Sequence, residues 1–330
     1  EIRFAENELD KKTSTTLKLN LEEIKVLKTL WSKPRVGVLG VAGTGKTILA
    51  LEQAKRLVSV GCKVLFISGR GQLLKLIDRE LSASGVPRIH NGFATPGVLV
   101  TTPHRLLNQL RKIVESKYGI CFSTGEKTAN WLIKEDLYAQ QFTEVAGAID
   151  IRFDALIIDE AQDLSPQVID TVAELLENKS ESPIWFFFDP KQSMLGNDWK
   201  PNFQAEYLVL STNCRNTVEI QRSYSALLGF PAEEVTGVHG PETIYQEASN
   251  SAQAEETTIE ILRSLRESGI DKRDVIILSW GKGRNARKKE IFQNVDGYNV
   301  RFKTPDLMKG QEFSVAILLL PDKPFDAVWN

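Results

Sequence analysis

The chain has 330 residues, 42% of them hydrophobic, which is enough for a sizeable core and favours two domains. Its 41 Lys and Arg nearly balance 43 Asp and Glu, so the charge excludes a strongly basic or acidic protein but leaves a locally basic groove open. The three cysteines lie far apart and show no metal-ligand or disulfide spacing, so a reducing cytoplasm is expected. No apolar run is long enough to span a bilayer, and no membrane partner is expected.

Short apolar runs alternate with amphipathic stretches in the first part of the chain. This rhythm predicts βαβ units around a mainly parallel sheet. The predicted strands are 36–39, 64–67, 98–101, 155–158 and 184–188, and the helices are 46 to about 60, 72–82, one from Pro103 and one from Ser165-Pro166. Residues from about 116 to 150 interrupt the rhythm and are expected to be an insertion.

A second set of elements follows. Its predicted strands are 208–210, 244–246, 275–278, 300–302 and 315–320, with helices at 217–228, 254–267 and 286–293. The simplest organisation is two α/β domains, 1–200 and 201–330. Since the chain starts at Glu1 without a methionine and stops at Asn330 after a strand pattern, we expect a piece of a longer polypeptide with a truncated second domain.

The first motif is Gly40-Val-Ala-Gly-Thr-Gly-Lys46-Thr47, which matches G-x-x-x-x-G-K-[ST] between a predicted strand and a predicted helix. Glycines let the loop wrap a phosphate with its N–H groups, and the helix N-terminus adds a favourable dipole. Lys46 is expected to reach the β- and γ-phosphates and Thr47 to hold Mg²⁺. The predicted ATP-binding residues are Gly40, Ala42, Gly43, Thr44, Gly45, Lys46 and Thr47. The alternative, a Gly-rich turn that matches by chance, does not explain the strand–loop–helix context.

The second motif places Asp159 and Glu160 at the end of a predicted buried strand. A strand-end Asp holds the metal in P-loop ATPases, so Asp159 is the predicted second metal ligand beside Thr47. Glu160 is placed to polarise the attacking water as general base. The alternative is a solvated acidic cap, since Asp163 and Ser165 could cap the next helix.

With the P-loop, five blocks resemble the motifs of superfamily 1 helicases of the UvrD/Rep type, in the family's order. They are Thr-Thr-Pro-His-Arg at 101–105, Asp-Glu-Ala-Gln-Asp at 159–163, Phe-Asp-Pro-Lys-Gln-Ser at 188–193, Asn-Cys-Arg-Asn-Thr at 213–217 and Lys-Gly-Gln-Glu-Phe at 309–313. The chain looks most similar to the ATPase modules that often follow nuclease-related domains in bacterial proteins.

The resemblance implies two RecA-like P-loop NTPase domains with the ATP site in the cleft between them. It assigns γ-phosphate sensing to Gln192, an arginine finger from the second domain to Arg215, and a further nucleotide contact to Glu312. With Lys46 and Glu160, Gln192 and Arg215 complete the implied catalytic set. The implied activity is an ATP-dependent motor, in which ATP hydrolysis drives translocation along, or unwinding of, single-stranded or partly duplex DNA.

Candidate nucleic-acid contacts follow from the same resemblance. His104 and Arg105 belong to the short segment near the DNA path, although a packing role for His104 stays open. The stretch after Phe66 lacks the family's Thr-rich pattern, and Arg70 is a candidate substitute.

The chain also departs from the family. No Gln that could read adenine lies near 22–23, and Met194-Leu195 replaces the base-stacking aromatic residue after the third motif. No large insertion separates the fourth and fifth motifs, and no sixth motif is seen. These departures keep a second hypothesis open: an ATP-sensing regulatory module that gates an attached nuclease or an antiviral defence effector without unwinding. An RNA substrate also stays open.

Overall fold

The protein is described by a computed structural model that covers residues 28–41, 43–69, 71–89, 95–119, 131–189, 200–210, 216–228, 239–279, 291–292, 295–305 and 313–320. The chain divides between Thr243 and Ile244 into two compact units. We call them the first unit and the second unit.

The first unit alternates strands and helices. Its strands are β1 (Arg35–Gly40), β2 (Lys63–Ser68), β3 (Gly97–Thr101), β4 (Ala155–Asp159), β5 (Ile184–Phe188) and β6 (Glu206–Leu210). Its helices are α1 (Lys46–Ser59), α2 (Gly71–Ala83), α3 (Pro103–Tyr118), α4 (Trp131–Gly147), α5 (Pro166–Ala173) and α6 (Val218–Leu228). A 3₁₀ turn, Ala161–Asp163, follows β4.

Local chemistry sets the helix ends as the sequence predicted. Thr102 accepts a hydrogen bond from the Arg105 amide at the start of α3, and Ser165 accepts one from the Val168 amide at the start of α5. Both α3 and α5 have a proline in the first turn, where the missing N–H would have no partner within the helix. Gly61, with φ of 91°, follows the end of α1 in the left-handed conformation that suits glycine.

All strands of the first sheet are parallel, in the order β3-β2-β4-β5-β1-β6. This confirms the predicted α/β class with a mainly parallel, RecA-like sheet. Side chains alternate across the strands: Phe186 packs in the core on one face, and Trp185 and Phe187 pack in the core on the other. The core that contains Trp185 and Phe187 also includes the buried face of α1. The core that contains Phe186 includes the buried faces of α3, α4 and α5. Burial on both faces explains the nearly continuous apolar runs of the strands.

Two features of this unit depend on contacts between distant residues. The sequence predicts a strand at 208–210 in a second domain that starts at residue 201; the observed strand, β6, pairs with β1 at the edge of the first sheet. The described part of the stretch 116–150, predicted as an insertion, contains α4, whose Phe142 and Val145 are fully buried in the same core as α3 and α5. Strand pairing and helix docking are non-local, so local periodicity does not indicate them.

The second unit contains α7 (Ser251–Glu267), a 3₁₀ turn (Lys272–Asp274), β7 (Val275–Ser279), β8 (Arg301–Lys303) and β9 (Val315–Leu319). Its parallel sheet has the order β8-β7-β9, and Leu262 and Leu265 of α7 pack against Ile277 and Phe302. The strand predicted at 244–246 is wrong, because the structure has no strand at these residues and Ile244 is 73% exposed. The predicted helix at 286–293 lies almost entirely outside the described residues.

Candidate nucleotide site

The phosphate loop joins β1 to α1. Gly43 and Gly45 have φ of 91° and 87°, a conformation that costs glycine little and other residues more. A Cβ on Gly40 would lie 2.2 Å from the Thr44 hydroxyl oxygen, so this position also excludes a side chain. The Thr44 hydroxyl donates to the Val41 carbonyl at 2.9 Å. The glycines therefore allow a tight turn between β1 and α1.

The start of α1 is suited to an anion. Gly45 precedes the helix without a capping side chain, and the first turn has no acidic residue. The N–H groups of this turn and the helix dipole therefore favour a bound phosphate. Lys46 Nζ donates to the carbonyls of Gly40 (2.7 Å) and Val41 (3.0 Å), which keeps its charge at the mouth of the loop.

Asp159 of the acidic motif contacts Thr47 of the phosphate-loop motif. The Thr47 hydroxyl donates to Asp159 Oδ2 at 2.8 Å, although the two residues are 112 positions apart. Asp159 is fully buried at the end of β4. Burial and the neighbouring Glu160 carboxylate raise the pKa of Asp159, while the Thr47 hydroxyl and the Lys46 charge oppose that rise. A cation beside Thr47 and Asp159 would favour the ionised carboxylate, so this oxygen pair fits a hard divalent metal.

Glu160 has an unusual backbone, with φ of 54° and ψ of 46°. Its amide donates to Asp159 Oδ1 at 3.0 Å, which helps to hold it in this left-handed conformation. Such a conformation costs a non-glycine residue free energy and is concentrated at functional sites. It turns the chain sharply at the end of β4.

Gln162 links two strand ends. Its Nε2 donates to Glu160 Oε2 at 2.5 Å, and its Oε1 accepts from the Asp189 amide, just after β5, at 3.1 Å. Gln162 is fully buried. Sequence reasoning did not count Gln162 among the site residues, although its place as the fourth residue of the run at 159–163 was the available signal.

β6 brings a further motif to this edge. Gly40 pairs with Leu210, the last residue of β6, and a Cβ on Gly40 would lie 3.1 Å from Leu210 Cβ. The run at 213–217, which contains Arg215, therefore follows a strand that ends beside the phosphate loop in the first unit. The sequence had placed this run in the second domain. Arg215 itself lies outside the described residues, as do Ala42, Arg70, Gln192 and Glu312.

His104 and Arg105 lie in the first turn of α3, and both are exposed. The His104 ring stacks on Tyr138 with centroids 6.1 Å apart, and the Tyr138 hydroxyl donates to the Pro103 carbonyl. His104 and Arg105 follow the carboxyl end of β3, just as the phosphate loop follows the carboxyl end of β1 in the same parallel sheet. Because β3 and β1 are four strand spacings apart, the two places are separated by about 19 Å. These residues are thus well removed from the phosphate loop.

Two absences concern the described residues alone. Among them, no three His, Cys, Asp or Glu side chains gather as a metal-binding group. None of the helices described here is both long and apolar enough to cross a membrane.

The parallel sheet, the phosphate loop and the acidic strand end define a P-loop protein with a RecA-like α/β fold. A family model described as the Schlafen group 3 DNA/RNA helicase domain matches residues 35–266, which is more than half of the chain. The chain belongs to this family.

A search of curated proteins found no match. Among solved structures, the arterivirus helicase nonstructural protein 10 in complex with DNA is 15% identical, with a TM-score of 0.39, and the match covers 91% of this chain and 57% of that one. The same arterivirus helicase in a structure titled without DNA is 15% identical with a TM-score of 0.39, over 93% and 58% of the two chains. This chain thus spans less than two thirds of either neighbour.

Proposed function

We propose that the protein is an ATP-hydrolysing motor of the superfamily 1 helicase type that acts on single-stranded or partly duplex DNA. The observation that carries the proposal is the hydrogen bond from Thr47 to Asp159, which joins the phosphate loop to the acidic strand end at 2.8 Å. Membership of a DNA/RNA helicase domain family supports the motor and the nucleic-acid partner. The UvrD/Rep-like motifs favour DNA.

In this proposal the nucleotide phosphates lie on the N–H groups of residues 40–47, and Lys46 exchanges its carbonyl partners for the β- and γ-phosphates. Thr47 and Asp159 would hold Mg²⁺, which neutralises phosphate charge. Glu312 is proposed to add a nucleotide contact from the second unit, which we propose as part of a second RecA-like domain. The contacts of Thr47 and Lys46 seen here support these roles.

Hydrolysis requires a base and charge stabilisation. Glu160 is the proposed base: its carboxylate takes a proton from the attacking water as the water oxygen bonds to the γ-phosphorus and the bond to the leaving ADP oxygen breaks. Gln162 donates to one oxygen of that carboxylate and so orients it. Gln192 is proposed to sense the γ-phosphate. Arg215 is proposed to stabilise its developing charge, an effect worth about 10³–10⁵ in rate in related reactions.

The proposed nucleic-acid path passes the start of α3. His104 offers an exposed ring for base stacking, and Arg105 beside it offers a charge for phosphate. Arg70 is proposed as a third contact. ATP binding and hydrolysis would alternately close and open the two RecA-like domains and move the strand.

The test is the steady-state ATPase rate of the full-length protein with and without single-stranded DNA. Stimulation by DNA, absent in Lys46→Ala, is expected. An equal rate with and without DNA would remove the DNA motor, and stimulation by RNA alone would reassign the substrate.

The second candidate is an ATP-sensing module that gates an attached nuclease or an antiviral defence effector. The absence of a large insertion between Arg215 and Lys309 favours it, because that region would hold an accessory subdomain in the related helicases. This candidate predicts ATP binding with slow hydrolysis and no unwinding. Strand separation by the full-length protein would exclude it.

A further inference from the structure

The outward face of α3 carries a row of polar side chains, which we call the α3 ridge: Arg105, Gln109, Lys112 and Ser116. Steps of four, three and four residues place these positions on one side of a helix, because an α-helix has about 3.6 residues per turn. All four residues are exposed. At a rise of about 1.5 Å per residue, the ridge is about 16 Å long and starts in the first turn of the helix.

The opposite face of α3 fixes the ridge on the first unit. Four apolar side chains of this face lie in the core that contains Phe186: Leu106, Leu107, Leu110 and Val114. Beside the ridge, the Arg111 guanidinium donates to the side-chain oxygen of Gln141 in α4. The helix start is capped by Thr102. The ridge therefore stands on a helix that core packing and a cap hold in place.

The charge on this side of α3 has one sign. The exposed charged residues of the helix are Arg105, Lys112 and Lys117, whereas the exposed residues of α2 and α7 include charges of both signs. The single acidic residue of α3, Glu115, is half-buried beside the ridge. Within the part of the chain that the structure describes, the side chains of Arg105 and Lys112 have no ion-pair or hydrogen-bond partner. Both cations of the ridge are therefore available to an anionic ligand.

The chemistry of the ridge fits a phosphodiester backbone. Arginine, lysine, glutamine and serine all bind phosphate oxygens in protein–DNA complexes, and cations displace the counterions that surround phosphate. We propose that the α3 ridge binds the sugar–phosphate backbone of the nucleic acid, so that its path continues along α3 beyond the first turn. This inference rests on the proposed function, which places His104 and Arg105 on that path. Because phosphate contacts carry no sequence information, binding at the ridge is independent of base sequence.

Three full-length variants test the ridge. Lys112→Gln removes one charge from an exposed position, and Gln109→Lys adds one beside it. Lys75→Gln is the matched control, because Lys75 is an exposed lysine of α2 and its replacement changes the net charge by the same amount. α2 packs in the core on the opposite face of the sheet, so its surface lies away from the ridge. Thermal unfolding confirms that each variant is folded.

Binding of a fluorescein-labelled oligothymidine is measured by fluorescence anisotropy, without ATP, over a series of salt concentrations. At about 0.1 M salt, Lys112→Gln should bind about three- to tenfold more weakly, and its plot of log affinity against log salt should be shallower by about 0.7, the value for one phosphate contact on a single strand. Gln109→Lys should bind more tightly, with a steeper plot. Lys75→Gln should match the wild type. An oligouridine probe should respond in the same way, because both backbones carry phosphates.

The outcomes separate the ridge from the motor. If the wild type binds DNA, equal affinities of Lys112→Gln and Lys75→Gln overturn the ridge and leave the motor intact, and so does a Gln109→Lys variant that binds no more tightly. If the wild type binds DNA but does not hydrolyse ATP, the motor fails and the same titrations still decide the ridge. A loss in Lys112→Gln for poly-L-glutamate but for neither oligonucleotide would assign the ridge to an acidic protein and overturn the proposal.

Discussion

Thr47 and Asp159 are joined by a hydrogen bond of 2.8 Å from hydroxyl to carboxylate. Thr47 belongs to the first turn of α1 and Asp159 to the end of β4, so the bond connects two elements that are far apart in the chain. In the absence of a cation the hydroxyl stabilises the buried carboxylate. With Mg²⁺ both oxygens would become candidate ligands, so the same pair would serve stability and the proposed catalysis.

Thr47→Val keeps the shape of the side chain and removes its hydroxyl, so it tests both roles of that oxygen. Asp159 would lose the donor at Oδ2, which costs about 1–3 kcal/mol for a buried group. ATP turnover should fall at least about a hundredfold because the proposed metal ligand is also lost. Thermal unfolding and ATPase assays measure the two effects. Thr47→Ser, which keeps the hydroxyl, should stay near the wild type in both; equal loss in Ser and Val would contradict the role of the oxygen.

Glu160→Gln should bind ATP with an affinity near that of the wild type and lose about 10²–10⁴-fold in turnover, the usual contribution of a general base. Nucleotide binding is measured by titration with a fluorescent ATP analogue, and turnover by phosphate release. The control is Glu174→Gln, an exposed carboxylate that pairs with Lys179. Normal turnover in Glu160→Gln would remove Glu160 as the base.

Gln162 can be tested with two variants that differ in one contact. Gln162→Met loses both bonds, including the one from the buried Asp189 amide, so the free energy of unfolding should fall by about 1–3 kcal/mol and kcat should drop. Gln162→Glu keeps an acceptor for Asp189 but places a like charge beside Glu160. Its activity should therefore appear only at higher pH than in the wild type, because the like charge disfavours the ionised base. Superimposable pH–rate profiles would count against this orientation of Glu160.

Burial of Asp159 predicts a pH dependence of stability without metal. Its pKa is raised to about 7, chiefly by burial and then by Glu160. Between the ordinary aspartate pKa of about 4 and the raised value, the folded state holds a proton that the unfolded state has released. This contribution to the free energy of unfolding is present at low pH and is lost as pH rises through that window.

Urea unfolding in EDTA from pH 5 to 8, compared between the wild type and Asp159→Asn, measures this contribution. The difference in stability should move in favour of Asp159→Asn as pH rises. A difference that is constant with pH would show that Asp159 is ionised in the folded protein throughout.

Gln53 tests the packing between α1 and the sheet. It is 1% exposed, and neither Nε2 nor Oε1 finds a hydrogen-bond partner within the part of the chain that the structure describes. Gln53→Leu should therefore stabilise the protein by about 1 kcal/mol, since an unpaired buried amide is costly. Urea unfolding measures this change in the free energy of unfolding. Gln141→Leu, which removes a bond with Arg111, should not stabilise; a gain of equal size there would point to general hydrophobicity instead.

The sequence alone predicted the α/β class, the phosphate loop and most helix ends of the first unit. These features depend on local chemistry: glycines at positive φ, prolines and hydroxyls at helix starts, and apolar runs in strands buried on both faces. The strand before the P-loop pattern and the helix after it were also predicted from the sequence, and together they supported the assignment of the loop.

Only the tertiary structure decided how these pieces meet. That β6 pairs with β1, that α4 packs in the core and that Gln162 joins the ends of β4 and β5 are relations between distant residues. The sequence placed Asp159 at the end of a strand, but strand order and register brought it to Thr47. Local propensity cannot determine such distances, because they depend on which sheet edges are free and which apolar faces cover one another.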